Sequence, residues 1–422
     1  MNLSRPPKPS PAFVLALAGL AAIAAVTLVA RWLGTGGDDR AAEDLLPPGR
    51  WHLSPTPDSL GSADERRRAR LMSSPYLAGS RPAEARTGVV AIDEERVAPG
   101  WNLYVSGHAS EAYLMSNTGE VAFRWRLPLA EAFPGAPPSL DYWRRVQLLP
   151  GGDLVALVQG IGLLRLDAAS RPVWTLEAPA FNDFFVDAEG RVLTLTKRPT
   201  VRAEVHADNE ILEDSVTLLA GDGSIVSSIS LLTALARSPF ADLLRPIADA
   251  GDVFHSNTVT PLPEAVGTFP AGSVLVSIRE IDLVGVVDLD AATFLWARRG
   301  PWSRQHEPVL VDATTVLVFD NRGGENGGSR VLELDLGSGE VGWQLGGFLS
   351  HEAGSVQRLA NGNTLVTESE RGRAVELDRD GEVVWEFLSP HRAGHDNELV
   401  ATLFEVVRLP PDCCPFASAP AQ

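Results

Sequence analysis

The residues of this 422-residue chain best suited to chemistry lie between positions 254 and 308. They fall in three phrases: Phe254-His255-Ser256-Asn257, Ser277-Ile278-Arg279-Glu280 and Arg304-Gln305-His306-Glu307-Pro308. A histidine is a nucleophile or a proton carrier near neutral pH. An arginine holds two oxygens of a sulfate or phosphate in a planar fork. Two imidazoles and a guanidinium are therefore a toolkit for moving an anionic group. Each residue also has a plainer use. His306 can line a channel and only bind an anion. His255 and Asn257 can satisfy backbone groups at a strand end. Arg279 can form an ordinary ion pair with Glu280 or Asp282. Spacing alone does not make the three phrases converge, so the elements that carry them must do so.

Those elements read as strands. Apolar runs over 273–278 and 283–289 separate the polar phrases. From about Trp101 onward, β-type runs alternate with Gly, Asp, Asn and Pro turns, as at Leu154 to Val158, Thr315 to Phe319 and Thr364 to Thr367. The stretch Leu231 to Leu244 is an exception, with an amphipathic helical pattern. A repeated phrase runs through the region: two apolar positions and an Asp, a turn, then Val-Trp or Val-x-Trp. It occurs at Leu164-Arg165-Leu166-Asp167 with Val173-Trp174, at Val287-Asp288-Leu289-Asp290 with Leu295-Trp296, and at Leu332-Glu333-Leu334-Asp335 with Val341-Gly342-Trp343. The clearest copy is Val375-Glu376-Leu377-Asp378, Asp380-Gly381, Val384-Trp385. Each copy predicts a hairpin whose tryptophan returns to the core. Repeats of this kind suit the blades of a propeller, with an array of β-sandwiches as the competitor. The expected fold is all-β, a six-bladed β-propeller over residues 99–410. In such a fold the residue just before a blade's innermost strand lies near the central axis. His255 and His306 both occupy that place, which makes their convergence plausible.

These phrases, in this order, resemble the bacterial arylsulfotransferase family. The resemblance also covers Gly107-His108-Ala109-Ser110-Glu111, Gly160-Ile161-Gly162-Leu163, Phe319-Asp320-Asn321 and 354–369, so it extends over about 100–410. It implies a six-bladed propeller that moves a sulfuryl group from an aryl sulfate to a phenolic acceptor in two steps, with no nucleotide donor and no cofactor or metal. By motif, His306 is implied as the nucleophile that becomes sulfated. His255, Asn257 and Arg279 are implied to hold and stabilise the group. The chain departs from the family at Phe181-Asn182-Asp183-Phe184, where family members often carry a histidine. Asn182 is expected on the substrate side of the site, and it cannot accept a proton. The alternative is therefore a non-catalytic propeller that binds an anionic or sulfated ligand.

Bulk properties bound the rest. The net charge of −18 argues against nucleic acid and anionic lipid as partners. Residues 12–30 carry no charge and follow Arg5 and Lys8, which predicts a transmembrane anchor over 12–33 behind a short cytoplasmic N-terminus, 1–11. A linker is expected over 34–98 and a tail over 411–422. The charge bias then puts the propeller on the periplasmic or extracellular side of the inner membrane. The adjacent Cys413 and Cys414 read as an exposed tail feature, unpaired because neighbouring cysteines rarely bridge without strain.

Overall fold

The computed structural model describes residues 79–414 and a two-residue strand pair, Trp51–His52 with Tyr76–Leu77. The expected anchor over 12–33 lies outside the described residues. Among the described residues, no helix is long and apolar enough to cross a membrane.

Among the described residues, six antiparallel sheets of four or five strands follow one another along the chain, beside a two-stranded and a three-stranded sheet. The first strands of sheets 2 to 6 are Arg145–Leu148, Ala180–Val186, Ser256–Pro261, His306–Leu310 and Ser355–Arg358. Each is followed by three more strands in simple order. Sheet 1 is built differently: its first strand is Leu403–Leu409, from the far end of the chain, paired with Trp101–Ser106. The last strand of the domain thus completes its first sheet, a closure that removes a free edge. The result is an all-β, propeller-like fold.

The core follows from this arrangement. It is not one central cluster but six, each shared by two consecutive sheets. Sheets 1 and 2 share Leu114, Trp125, Trp143 and Leu154. Sheets 4 and 5 share Leu275, Val286, Val318 and Leu332. The ring closes where Tyr104 and Met115 of sheet 1 meet Trp385 and Phe387 of sheet 6. Fully buried side chains of this size stabilise by about 1.5–3 kcal/mol each. Strands buried on both faces explain the near-continuous apolar runs.

The repeated tryptophans have a more specific task than filling their own blade. Four of them, Trp125, Trp296, Trp343 and Trp385, donate the indole N–H to a turn carbonyl of the next sheet. Trp125 reaches Gly152 O at 3.1 Å, Trp296 reaches Leu336 O at 3.2 Å, and Trp343 reaches Arg379 O at 2.9 Å. Trp385 of the sixth sheet reaches Asn117 O of the first at 2.8 Å.

Three expectations change. Gly88–Ile92, placed in the linker by composition, is a fifth strand on sheet 6, paired with Val383–Leu388. Its alternation of small and apolar residues suffices for an edge strand. The helical stretch from Leu231 breaks into an α-helix, Leu231–Ala236, and a 3-10 turn, Ala241–Leu244. Pro239 lies between them and cannot continue the helical hydrogen bonds. Cys413 and Cys414 are bonded to each other, and Cys414 is buried against the sheet 1–2 core rather than exposed.

Candidate active site

The first strands converge, and one arginine marks where. Arg145 Nε lies 2.6 Å from Asp183 of sheet 3. Its other nitrogens lie 2.5 Å from Glu307 of sheet 5 and 3.1 Å from Glu405 of sheet 1. Three carboxylates around one guanidinium leave an excess of negative charge in a poorly hydrated place. Burial accordingly pushes Asp183 up to about 6 and Glu405 up to about 7, against the pull of Arg145.

The site is built at the end where these strands begin. Asn182, His255, Arg304 and Glu307 have φ of 61°, 47°, 57° and 45°. Such left-handed conformations are costly for non-glycine residues and persist where surrounding contacts impose them. Each first strand here carries a register shift: Phe181/Phe184, Ser256/Thr258 and His306/Val309. The shift turns consecutive side chains toward the axis, which regular alternation would forbid.

His306 is 3% exposed. Its Nδ1 lies 2.7 Å from Asn321 Oδ1 and 3.2 Å from the carbonyl of Arg304. Asn321 spends its amide N–H groups on Ser350 O at 2.6 Å and Ala353 O at 2.8 Å, so its oxygen must face the imidazole. Two acceptors at Nδ1 fix the proton there and leave the Nε2 lone pair open. Burial, and then the charge of Arg279, hold His306 well below the ordinary imidazole range. It is a neutral ring with one nucleophilic nitrogen. Although glycines follow it in the chain, Asn321 is fully buried and pinned. Gly354 helps to keep the carbonyl of Ala353 in place: its φ is 143°, and a side chain there would meet the Phe319 ring at 2.4 Å.

His255 is held differently. Its Nδ1 donates to Asp252 Oδ2 at 2.6 Å, and Asp252 is also paired with Lys197 Nζ at 2.7 Å. Lys197 is 1% exposed, a buried cation that the carboxylate must answer. Burial and the nearby Lys197 bring His255 down to about 4, although Asp252 pulls the other way. This imidazole is also neutral, with its proton on Nδ1.

Arg279 begins a 3-10 turn, Arg279–Ile281, at the end of strand Val274–Ile278. Its backbone N–H donates to the carbonyl of His255 at 3.3 Å. Its guanidinium pairs with Glu280 at 2.7 Å, which Arg304 shares at 2.6 Å. The two asparagines act as braces between blades. Asn182 Nδ2 donates to Ser256 O at 2.7 Å, and Asn257 Nδ2 donates to Gln305 O at 2.8 Å. Each thereby fixes the residue next to a histidine in the following sheet. All five residues singled out from the sequence are thus brought into one connected region.

The matched family model is Arylsulfotransferase (ASST), over residues 145–391. The chain belongs to the arylsulfotransferase family. The match runs from the first strand of sheet 2 to the end of sheet 6 and includes every residue discussed above except Glu405. No match was found among curated proteins. Among solved structures, a protein of unknown function from Bacteroides caccae is similar at TM-score 0.45 and 14% identity, over 73% of this chain and 98% of that one. Virginiamycin B lyase from Staphylococcus aureus has TM-score 0.41 and 10% identity, over 74% of this chain and 88% of that one. The WD40 β-propeller domain of Doa1 has TM-score 0.41 and 14% identity, over 79% and 95%. Likenesses at this level bear on neither chemistry nor ligand.

Sequence reasoning missed several partners. Asp252 stands three residues before His255, the range at which a carboxylate folds back on a following turn, and that signal was readable. Lys197 and Arg145 carried no local signal, because their partners lie 38 to 260 positions away.

Proposed function

We propose that this arylsulfotransferase-family protein transfers a sulfuryl group from an aryl sulfate to a phenolic acceptor through a sulfated His306. The observation that carries the proposal is the locked Nδ1 proton of His306, which leaves a neutral Nε2 as nucleophile. In the first step Nε2 forms a bond to sulfur, the ester S–O bond breaks, and phenolate leaves. In the second step the acceptor oxygen attacks sulfur, the N–S bond breaks, and neutral His306 returns. The acceptor's proton needs a base, and Asn182 cannot be one. His255 Nε2 is the base available, because Asp252 holds the other nitrogen's proton. Arg279 offsets charge on the sulfuryl oxygens as they change geometry. The braces from Asn182 and Asn257 hold the two histidines in register.

In the same reading the domain is a closed six-bladed propeller, supported by the six shared cores. It is anchored through 12–33 with the propeller outside the cytoplasm, supported by the charge-free run behind Arg5 and Lys8. Asn182 in place of a histidine favours a second reading, a domain that binds a sulfated ligand without transferring it. The test is to mix the protein with 4-nitrophenyl sulfate, quench, and look for a sulfated peptide containing His306. His306→Ala should lose the adduct and at least about a thousandfold of nitrophenol release. Release at the wild-type rate from His306→Ala puts the nucleophile elsewhere. No release from wild type with a range of aryl sulfates favours the binding reading.

A further inference from the structure

Arg144 has no assigned role, and it is the cation whose surroundings are most incomplete. It precedes the first strand of sheet 2 and lies one residue outside the family match. Its backbone N–H donates to Leu157 O at 2.9 Å, which fixes the residue to the sheet. Its guanidinium lies 5.0 Å over the ring of Phe404. Among the described residues it makes no side-chain hydrogen bond and no ion pair. The two carboxylates near enough to act on it, Glu307 and Glu405, are both taken by Arg145. The other arginines of the region are engaged: Arg279 and Arg304 on Glu280, Arg145 on three carboxylates. Arg144 is half-buried, so its five N–H donors are neither paired nor fully hydrated. Burial and the like charge of Arg145 lower its pKa, against the pull of Glu405 and Glu307.

Its position points at His306. The Arg145–Glu307 bridge ties the start of one first strand to the start of another. Arg144 is one residue toward the site end from Arg145, and His306 is one residue toward the site end from Glu307. The bridge therefore sets the two at one level along their strands, and Arg144 is among the charges that act on the His306 ring. Arg279 is another, on the side of His255. An open guanidinium next to a neutral nucleophile is a donor set without its acceptor.

We propose that Arg144 is a second anion-binding residue of the site, whose guanidinium fork grips two oxygens of the sulfuryl group of a sulfate monoester while His306 faces sulfur. This rests on the sulfuryl-transfer reading for the identity of the anion. The planar fork matches a pair of sulfate oxygens, and a partly dehydrated site makes the contact stronger than it is in water. Phe404 beneath the guanidinium keeps its plane fixed.

Two measurements on the purified full-length protein test the assignment. The first is calorimetric titration with sodium sulfate, which needs no turnover. Arg144→Gln should bind sulfate about tenfold or more weakly than wild type, and Arg144→Lys should fall between them because it keeps the charge but not the fork. The second is steady-state kinetics with 4-nitrophenyl sulfate, where Arg144→Gln should raise KM for the donor more than it lowers kcat. Thermal melting separates binding from structure. Removing a half-buried cation that makes no direct ion pair should change Tm little, and the Tm increase that sulfate gives wild type should shrink in the variant. Wild-type sulfate affinity in Arg144→Gln, or a lowered Tm with unchanged affinity and KM, overturns the proposal. If wild type binds sulfate through Arg144 but never releases nitrophenol, the anion site stands and the transferase reading falls. If Arg144→Gln does not fold, Arg144→Lys with wild-type sulfate affinity and donor KM overturns the fork.

Discussion

The two histidines of the site differ in what holds their Nδ1 proton. At His306 the acceptor is the amide oxygen of Asn321, a neutral group. At His255 it is the carboxylate of Asp252, itself answered by buried Lys197. A neutral acceptor fixes the ring's orientation without stabilising a positive charge on it. A carboxylate does both. The first environment suits a nucleophile, which must keep its lone pair available at all times. The second suits a base, which must become an imidazolium for part of the cycle and then give its proton up. The same side chain thus acquires two chemical characters from one difference in its neighbour.

The largest break in this contrast is expected from Asp252→Asn. Without the carboxylate, the imidazolium of His255 loses its partner, and transfer to the acceptor should slow by about a hundredfold or more. Sulfation of His306, read as the nitrophenol burst, should change far less. The variant should also be less stable by about 3 kcal/mol, since buried Lys197 loses its directly paired carboxylate and keeps only the nearby Asp214. Rapid-quench measurement of both half-reactions separates the effects, and equal slowing of the two would dissolve the distinction between base and nucleophile.

Asn321→Ala is the matching change at the other ring. It removes the lock on Nδ1 and frees the carbonyls of Ser350 and Ala353. The burst should slow by about tenfold to a hundredfold, with the acceptor step following only because less enzyme is sulfated. An unchanged burst would mean that Arg304 O alone fixes the tautomer.

The smallest effects concern pH. Both rings are depressed by burial, so activity should not fall away near 6.5 as it would for a free imidazole. The acceptor step should persist to about 4, where His255 gains its proton, and the donor step should persist well below 6.5. Between pH 8 and pH 5 the rate should vary by less than about twofold. Stability follows the linkage signs. A histidine whose folded value lies below the unfolded one loses stability as pH falls from 6.5 toward about 4. Asp183 and Glu405 have folded values above their unfolded ones, and their contribution is lost as pH rises through about 6 and about 7. Glu405→Gln should therefore flatten the decline of Tm between pH 5 and pH 8. A decline of unchanged steepness would remove Glu405 from the account.

The sequence by itself determined the class of fold and the cast of the site. Alternating apolar runs with Gly and Asp turns specify strands locally, and the Val-x-Trp phrase repeats because every blade meets its neighbour in the same way. The order of His255, Asn257, Arg279 and His306 was legible because each is a polar residue at the edge of an apolar run. What those residues do to one another was not legible. The tautomer of His306 depends on Asn321, which depends on two carbonyls about thirty residues further on. The family resemblance put Asn182 and Asn257 on the substrate side, and in the structure each has an amide committed to a backbone carbonyl of the next sheet. The open guanidinium of Arg144 exists only because Arg145 claims the carboxylates beside it. Strand pattern is a local property of chain chemistry. Protonation, bracing and unpaired charge are set by contacts between residues tens to hundreds of positions apart, and only the packing of successive sheets brings those residues within reach.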